Sequence, residues 1–277
     1  MYQRAIDEAE ATESVAPMIS SPIESRQDPE DDRISQVAGE TIGKYKDCHV
    51  HFEGQHSAIF KSRNEDDNLV AVKVTVPHLM GAPHDSKREG RLLREAASPH
   101  VIDLVEMFDL TGGRLILVFP FMRRNFEQLL RHDMVTGTQI RSHLRDLFRA
   151  LAHIHELGII HRDVKPSNLL MDSPEGPAYL ADFGIAWKKG TEGSEPSDEK
   201  IIDVCTTCYR PPEILFGYRC YTTTLDLWSA GCVVAEAISI GHQQLFDPGP
   251  LGSDLALIHS MFTTLGTPDD ETWPVSV

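Results

Sequence analysis

The hydrophobic pattern changes period part-way along the chain. Between residues 41 and 125, apolar positions come in short runs at 58–61, 69–76, 101–110 and 114–119. Runs of this length, rich in β-branched residues, predict strands whose side chains alternate between two faces. One segment, 86–97, breaks that pattern and predicts a helix. After Asn125, segments 126–132 and 139–157 repeat apolar residues every three or four positions (Ile140, Leu144, Leu147, Phe148, Leu151, Ile154). That spacing lines up one helical face. Gly158 follows where a glycine ends a helix in the left-handed conformation. Met261, Phe262 and Leu265 fit the apolar stripe of a later helix. Strands first and helices second predict an α+β fold of two lobes with a cleft between them.

Residues 1–40 have no such period. They hold ten acids against three bases, one aromatic, and several Ser and Pro. This reads as a disordered acidic tail preceding a globular body at 41–277. The chain has 277 residues and a net charge of −16. Acidity on that scale argues against nucleic-acid binding or docking on anionic membrane, which need basic surface. The longest strongly apolar run, 115–122, is far short of a membrane span. The N-terminus carries no apolar secretory core. Five cysteines, an odd number, do not suggest a disulfide framework and point to a reducing, intracellular home in nucleus or cytoplasm.

The candidate chemistry is concentrated in a few strings. His161-Arg162-Asp163-Val164-Lys165-Pro166-Ser167-Asn168 matches H-R-D-x-x-x-x-N, and Asp182-Phe183-Gly184 matches D-F-G. Val70-Ala71-Val72-Lys73 lies upstream and Pro212-Glu213 downstream. These strings, in this order, resemble the eukaryotic protein kinase family over residues 41–277. The resemblance implies a bilobal protein-kinase fold, with a small β-rich N-lobe (about 41–121), a hinge (about 120–125) and a helical C-lobe (about 126–277). It implies phosphoryl transfer from ATP with Mg²⁺ to protein substrates.

In that family each residue has a physical task. Asp163 would accept the substrate hydroxyl's hydrogen bond, and Lys165 would reach the γ-phosphate, as in serine/threonine kinases. Asn168 and Asp182 would hold Mg²⁺, which prefers hard oxygen ligands. Lys73 would hold the α- and β-phosphates, with Glu89 as its carboxylate partner. The other reading of Glu89 is a solvated helix acid among Lys87, Arg88 and Arg91. Thr206 matches the threonine that braces Asp163 and Lys165. Phe119 resembles the gatekeeper. The Pro120 carbonyl and Met122 backbone would bond the adenine edge, Asn125 would contact the ribose, and Ala71 and Leu170 would sandwich the base. Plain core packing is the other reading of these apolar positions.

Four departures stand out. Phe52-Glu53-Gly54-Gln55-His56-Ser57-Ala58-Ile59 falls where the family has G-x-G-x-x-G-x-V. Only Gly54 remains of three glycines, and Ile59 replaces the valine, so backbone approach to the phosphates is impaired. The activation segment, 182–213, is the second departure. Tyr209-Arg210-Pro211-Pro212-Glu213, Asp226-Leu227-Trp228-Ser229-Ala230-Gly231-Cys232, and Leu265-Gly266-Thr267-Pro268 with Thr272-Trp273-Pro274 resemble the cyclin-dependent-kinase-like branch. That branch carries a phosphorylated threonine where counting back from Tyr209 finds Ile201. Arg162 then needs another anion, and Glu199 or Asp203 would serve. The alternative is a solvated, mobile segment.

Third, Pro83-His84-Asp85-Ser86-Lys87-Arg88-Glu89 stands for P-S-T-A-I-R-E, with Ser86 and Lys87 in place of the apolar pair that packs on a cyclin. Burying a lysine is costly, which argues against cyclin dependence. Fourth, only three residues follow Pro274, where the family continues with further helices, so the C-lobe is expected to be incomplete. The combination is similar to the fungal single-subunit CDK-activating kinases and implies cyclin-dependent kinases as substrates. The rival class is an inactive kinase-like binding module. Cys205-Thr206-Thr207-Cys208 lacks the second pair that a zinc site needs.

Overall fold

The computed structural model describes residues 39–269. The expected acidic tail therefore lies outside the described residues, save its last two positions. A six-stranded antiparallel sheet opens the fold. Its strands are β1 (Glu40–Ile42), β2 (Tyr45–Glu53), β3 (Ser57–Arg63), β4 (Leu69–Thr75), β5 (Glu106–Leu110) and β6 (Arg114–Pro120). The order across the sheet is β1-β2-β3-β4-β6-β5. Along β3 and β4 buried and half-buried positions alternate. Ala58, Phe60, Val70, Val72 and Val74 are buried. The register sets Ile59 against Lys73, and Ala71 against both Lys61 and Phe119, on the other face.

Helix α1 (Ser86–Glu95) lies between β4 and β5 in the chain. Asp85 caps it by accepting from the Arg88 amide at 2.9 Å, which satisfies one of the free N–H groups of the first turn. Leu92 and Leu93 are buried on its inner face. Gly90 lets the helix sit against the sheet: a Cβ there would meet Met107 Sδ at 2.2 Å.

After β7 (Arg124–Asn125), helices α2 (Phe126–Arg131) and α3 (Gly137–Glu156) follow. Both open with reciprocal caps, Asn125 with Gln128 and Thr136 with Gln139. Leu147, Ala150, Leu151 and Ile154 line the core side of α3. Gly158 takes φ +74° and ends the helix as its position suggests. Short strands β8 (Ile159–Ile160), β9 (Leu169–Met171), β10 (Tyr179–Leu180) and β11 (Trp187–Lys188) carry the loops between them. Helices α4 (Pro212–Leu215), α5 (Thr224–Ile238) and α6 (Asp254–Leu265) complete the described C-lobe.

Three expectations are corrected. The run 101–110 is a strand only from Glu106; Val101 and Ile102 are buried, and the Ile102 amide donates to Leu180 O at 2.9 Å, so this stretch pairs with β10. Phe148 and Leu265 are exposed rather than core. Strands β1 and β2 were not expected, because β2 carries polar residues at most positions and exposes Val50 and Phe52. Among the described residues no helix is long and apolar enough to cross a membrane.

Candidate active site

The catalytic-loop candidates are fixed by one buried carboxylate on α5. Asp226 is fully buried. It accepts from the His161 amide at 2.8 Å, the Arg162 amide at 2.9 Å and His155 Nε2 at 2.8 Å. His161 in turn bonds the Ala181 carbonyl at 3.0 Å and packs edge-on against the buried Phe183. Arg162, Asp182 and Cys205 all take positive φ (68°, 63° and 66°). Each such non-glycine residue costs on the order of 1–3 kcal/mol and persists only where its surroundings over-determine it. For Arg162 and Cys205 the Asp226 bond to the Arg162 amide and the Cys205 amide donating to Arg162 O at 2.9 Å do so, and Asp182 is held by Lys73 Nζ at 3.2 Å.

That scaffold presents Asp163 with its carboxylate held on both oxygens. Thr206 Oγ1 donates to Oδ1 at 2.7 Å and the Thr206 amide at 3.1 Å. Asn168 Nδ2 donates to Oδ2 at 3.0 Å, and Lys165 Nζ lies 2.9 Å from the same oxygen. Lys165 also donates to Thr206 Oγ1 at 2.8 Å. The structure thus brings Asp163, Lys165, Asn168 and Thr206 into one network.

Lys73, Glu89 and Asp182 form the second group. Lys73 Nζ lies 2.7 and 2.9 Å from the two Glu89 oxygens and 3.2 Å from Asp182 Oδ1. Glu89 is buried against the lysine and is not a solvated helix acid. Burial works against the Lys73 charge; Asp182 and Glu89 outweigh it and raise the lysine pKa. Lys73 holds the Asp182 carboxyl well below its usual range. The Gly184 carbonyl accepts from the Asp85 amide at 3.0 Å, tying this group to the start of α1.

The donor set suits Mg²⁺. Asn168 commits its amide nitrogen to Asp163, also donating to the Asp163 carbonyl at 2.8 Å, which leaves the amide oxygen as the metal-seeking end. With the half-exposed Asp182 carboxylate, that gives two hard oxygen ligands. Among the described residues no group of three His, Cys, Asp or Glu side chains is gathered as a metal site. A cation here would complete its shell with water and phosphate oxygens, the habit of Mg²⁺.

The adenine-side candidates are less uniform. Phe119, Met122 and Leu170 pack on the C-lobe core, and Ala71 faces Phe119 across β4 and β6. Pro120 ends β6 opposite Val70, and Asn125 pairs with Leu170 in the register of β7 and β9. Asn125 Oδ1 is engaged by the Gln128 amide at 2.9 Å, so its oxygen serves the start of α2. The glycine-loop equivalent is the tight β2–β3 hairpin, closed by the Gly54 amide on Ser57 O at 2.8 Å. A Cβ on Gly54 would lie 3.0 Å from the Phe52 ring, so Phe52 packs over the one glycine retained. Ile59 stands beside it in β3, and His56 packs at a tilt against His84 with ring centroids 4.3 Å apart.

In the activation segment the anion beside Arg162 is neither Glu199 nor Asp203. Glu195 Oε1 accepts from Arg162 Nη1 at 2.8 Å, and Asp203 pairs with Arg210 at 3.2 Å. The segment is not strung straight back from Tyr209: Gly190 and Gly193 take positive φ, and the Ser194 amide bonds Thr191 O, which folds Glu195 inward. Ser86 is buried, so of the Ser86-Lys87 pair only Lys87 is on the exposed face of α1. Cys205 and Cys208 are free thiols whose pKa values burial raises. Asp226 and Glu195 are the side chains holding the candidate site that the sequence does not mark as site residues. The D-x-W-S string marked Asp226 as an anchor, and nothing local marked Glu195.

A protein kinase domain model matches residues 52–254. The chain belongs to the protein kinase family. It is 36% identical over 230 residues to Cyclin-dependent kinase 7 of Xenopus laevis, covering 80% of this chain and 62% of that relative's length. The kinase also resembles two solved structures. One is the yeast RNA Pol II CTD kinase CTDK-1 complex, with TM-score 0.71, 26% identity, and coverage of 85% of this chain and 73% of the other. The second is the CAK complex from Chaetomium thermophilum bound to ATP-gamma-S, with TM-score 0.69, 33% identity, and coverage of 81% and 70%.

Proposed function

We propose that this chain is a cyclin-dependent-kinase-like serine/threonine protein kinase that moves the γ-phosphoryl group of ATP, with Mg²⁺, to protein substrates. The observation that carries the reading is the doubly held Asp163 carboxylate set beside the Lys73–Glu89–Asp182 group. ATP and Mg²⁺ supply the transferable phosphoryl group and the charge that neutralises it. The residues of the chain position and stabilise. Asp163 accepts the hydrogen bond of an incoming serine or threonine hydroxyl, and Thr206 and Asn168 keep its oxygens oriented for that task. Lys165, already bonded to Thr206, lies on the same side to meet developing phosphate charge. Lys73 remains protonated between Glu89 and Asp182 and offers a fixed cation to the α- and β-phosphates. Asn168 and Asp182 would hold the metal.

We further infer that the substrates include cyclin-dependent kinases, phosphorylated on their activation segments, and that dependence on a cyclin is weak or absent. The likeness to the CAK complex supports the substrate class. For cyclin the support is Lys87 on the exposed face of α1, which is costly to bury against a partner, whereas both solved neighbours are complexes. A nuclear or cytoplasmic setting fits the five free thiols. The test is phosphate incorporation into an unphosphorylated cyclin-dependent kinase by wild type and by Asp163→Asn, with no cyclin added. Incorporation by wild type alone supports the reading. Activity on other proteins but none on this substrate overturns the substrate assignment. Mg-ATP binding with no transfer to any protein overturns the enzyme reading in favour of a binding module.

A further inference from the structure

Two guanidinium groups are buried beside the candidate site. Arg162 is 0% exposed and Arg88 2%. Arg162 immediately precedes Asp163, and Arg88 immediately precedes Glu89. A buried charge without a partner is strongly unfavourable. Among the described residues, the acidic side chain within ion-pair distance of both is Glu195, with Oε1 2.8 Å from Arg162 Nη1 and Oε2 3.9 Å from Arg88 Nη1. Glu195 is itself held in place. Its carbonyl accepts from Trp187 Nε1 at 3.0 Å, and its Oε1 also takes the Ile201 amide at 3.3 Å.

The neighbouring residues of the segment grip α1 as well. Arg88 donates to the Gly193 carbonyl, Arg91 reaches Glu192 at 2.8 Å, and Lys188 pairs with Glu95. Tyr221 closes the nook from the C-lobe, accepting from Arg162 Nη1 at 3.1 Å and donating to Ile201 O at 2.6 Å. Lys200, almost fully buried, lies over the Trp187 and Tyr221 rings. Three buried cations, Arg162, Arg88 and Lys200, thus lie near the Glu195 carboxylate, with Asp85 beside Arg88 and Asp198 near Lys200.

We infer that Glu195 is a built-in anionic latch, a positioning residue that locks the activation segment onto Arg162 and Arg88 and so sets both Asp163 and Glu89 without phosphorylation of the segment. It rests on the kinase reading for its catalytic consequence, not for its structural one. The carboxylate joins the two halves of the site: through Arg162 it bears on the catalytic loop, and through Arg88 on the helix that carries the Lys73 partner.

The experiment uses the full chain, confirmed unphosphorylated by mass after phosphatase treatment, as wild type, Glu195→Gln and Glu195→Asp. Amide hydrogen exchange is followed over residues 188–205 and over α1, with α3 and α5 as internal reference. The expected result is a protected segment in unphosphorylated wild type. Glu195→Gln should speed exchange there by about tenfold or more, as for loss of a charge-assisted hydrogen bond, with the reference helices unchanged. Phosphate transfer should fall by about 100-fold in kcat, the scale of a small misplacement of reacting groups, with little change in KM for ATP. Glu195→Asp should restore part of both. Rapid exchange of the segment in unphosphorylated wild type would overturn the latch, whether or not the variants fold. So would a Glu195→Gln segment that exchanges as slowly as wild type. If wild type transfers no phosphate, the kinase reading falls while the exchange measurement still decides the latch.

Discussion

The catalytic loop and the β2–β3 hairpin belong to the same candidate site and are held in opposite ways. The loop is buried at His161, Arg162 and Val164, and its two leading amides end on the buried Asp226. The hairpin exposes Phe52, Gly54 and Gln55, and its turn closes on a Gly54–Ser57 backbone bond. The loop places point charges whose position sets the chemistry, and each is fixed from two or more sides. On the proposed reading the hairpin would offer only backbone to a ligand that brings its own charge and metal, so fewer of its side chains need fixing.

That contrast predicts a graded series of effects. The largest belongs to Asp163→Asn: loss of the hydroxyl acceptor should lower kcat by about 10²–10⁴-fold with the fold intact, measured by steady-state transfer and thermal unfolding. Next is Asp226→Ala, which leaves the His161 and Arg162 amides without their acceptor. It should destabilise the chain by about 3 kcal/mol and lower the melting temperature by about 6–12 °C.

The third effect is pH-dependent. Burial alone would raise the Glu195 pKa, but the Arg162 bond and charge hold it below its usual 4.5. A depressed carboxylate stabilises the folded state above its unfolded pKa, and that contribution is lost as pH falls through the folded value. Wild type should therefore exceed Glu195→Gln by about 2 kcal/mol at pH 7, and the gap should narrow well below pH 4.5, as pH falls through the depressed folded value. Denaturant titrations at both pH values measure it. The smallest effect is expected at the hairpin. Ser57→Gly should lower KM for ATP by no more than about threefold at unchanged kcat, because added backbone freedom offsets easier phosphate approach. A large rate gain there would break the comparison.

The sequence discloses these regions unequally for the same reason. Lys73, Asp163, Asn168 and Asp182 sit in short strings whose spacing is set by local chain geometry, so they can be recognised without knowing the fold. Glu89 follows from the resemblance, by aligning Leu92-Leu93 with the family's pattern, and the structure sets it on Lys73 at 2.7 Å. Glu195 depends on how a loop turns at Gly190 and Gly193, which counting back from Tyr209 does not capture. Strand β2 lacks a clean alternation because much of it is exposed. Asn125 reads as a ligand contact from its place after the hinge, yet its side-chain oxygen caps α2.

The most direct test of the central claim is γ-phosphate transfer by the unphosphorylated wild-type chain with Mg-ATP, a protein substrate and no added cyclin. Transfer to serine or threonine that Asp163→Asn abolishes is the predicted result. Mg-ATP bound by a folded chain that transfers nothing to any protein would contradict it.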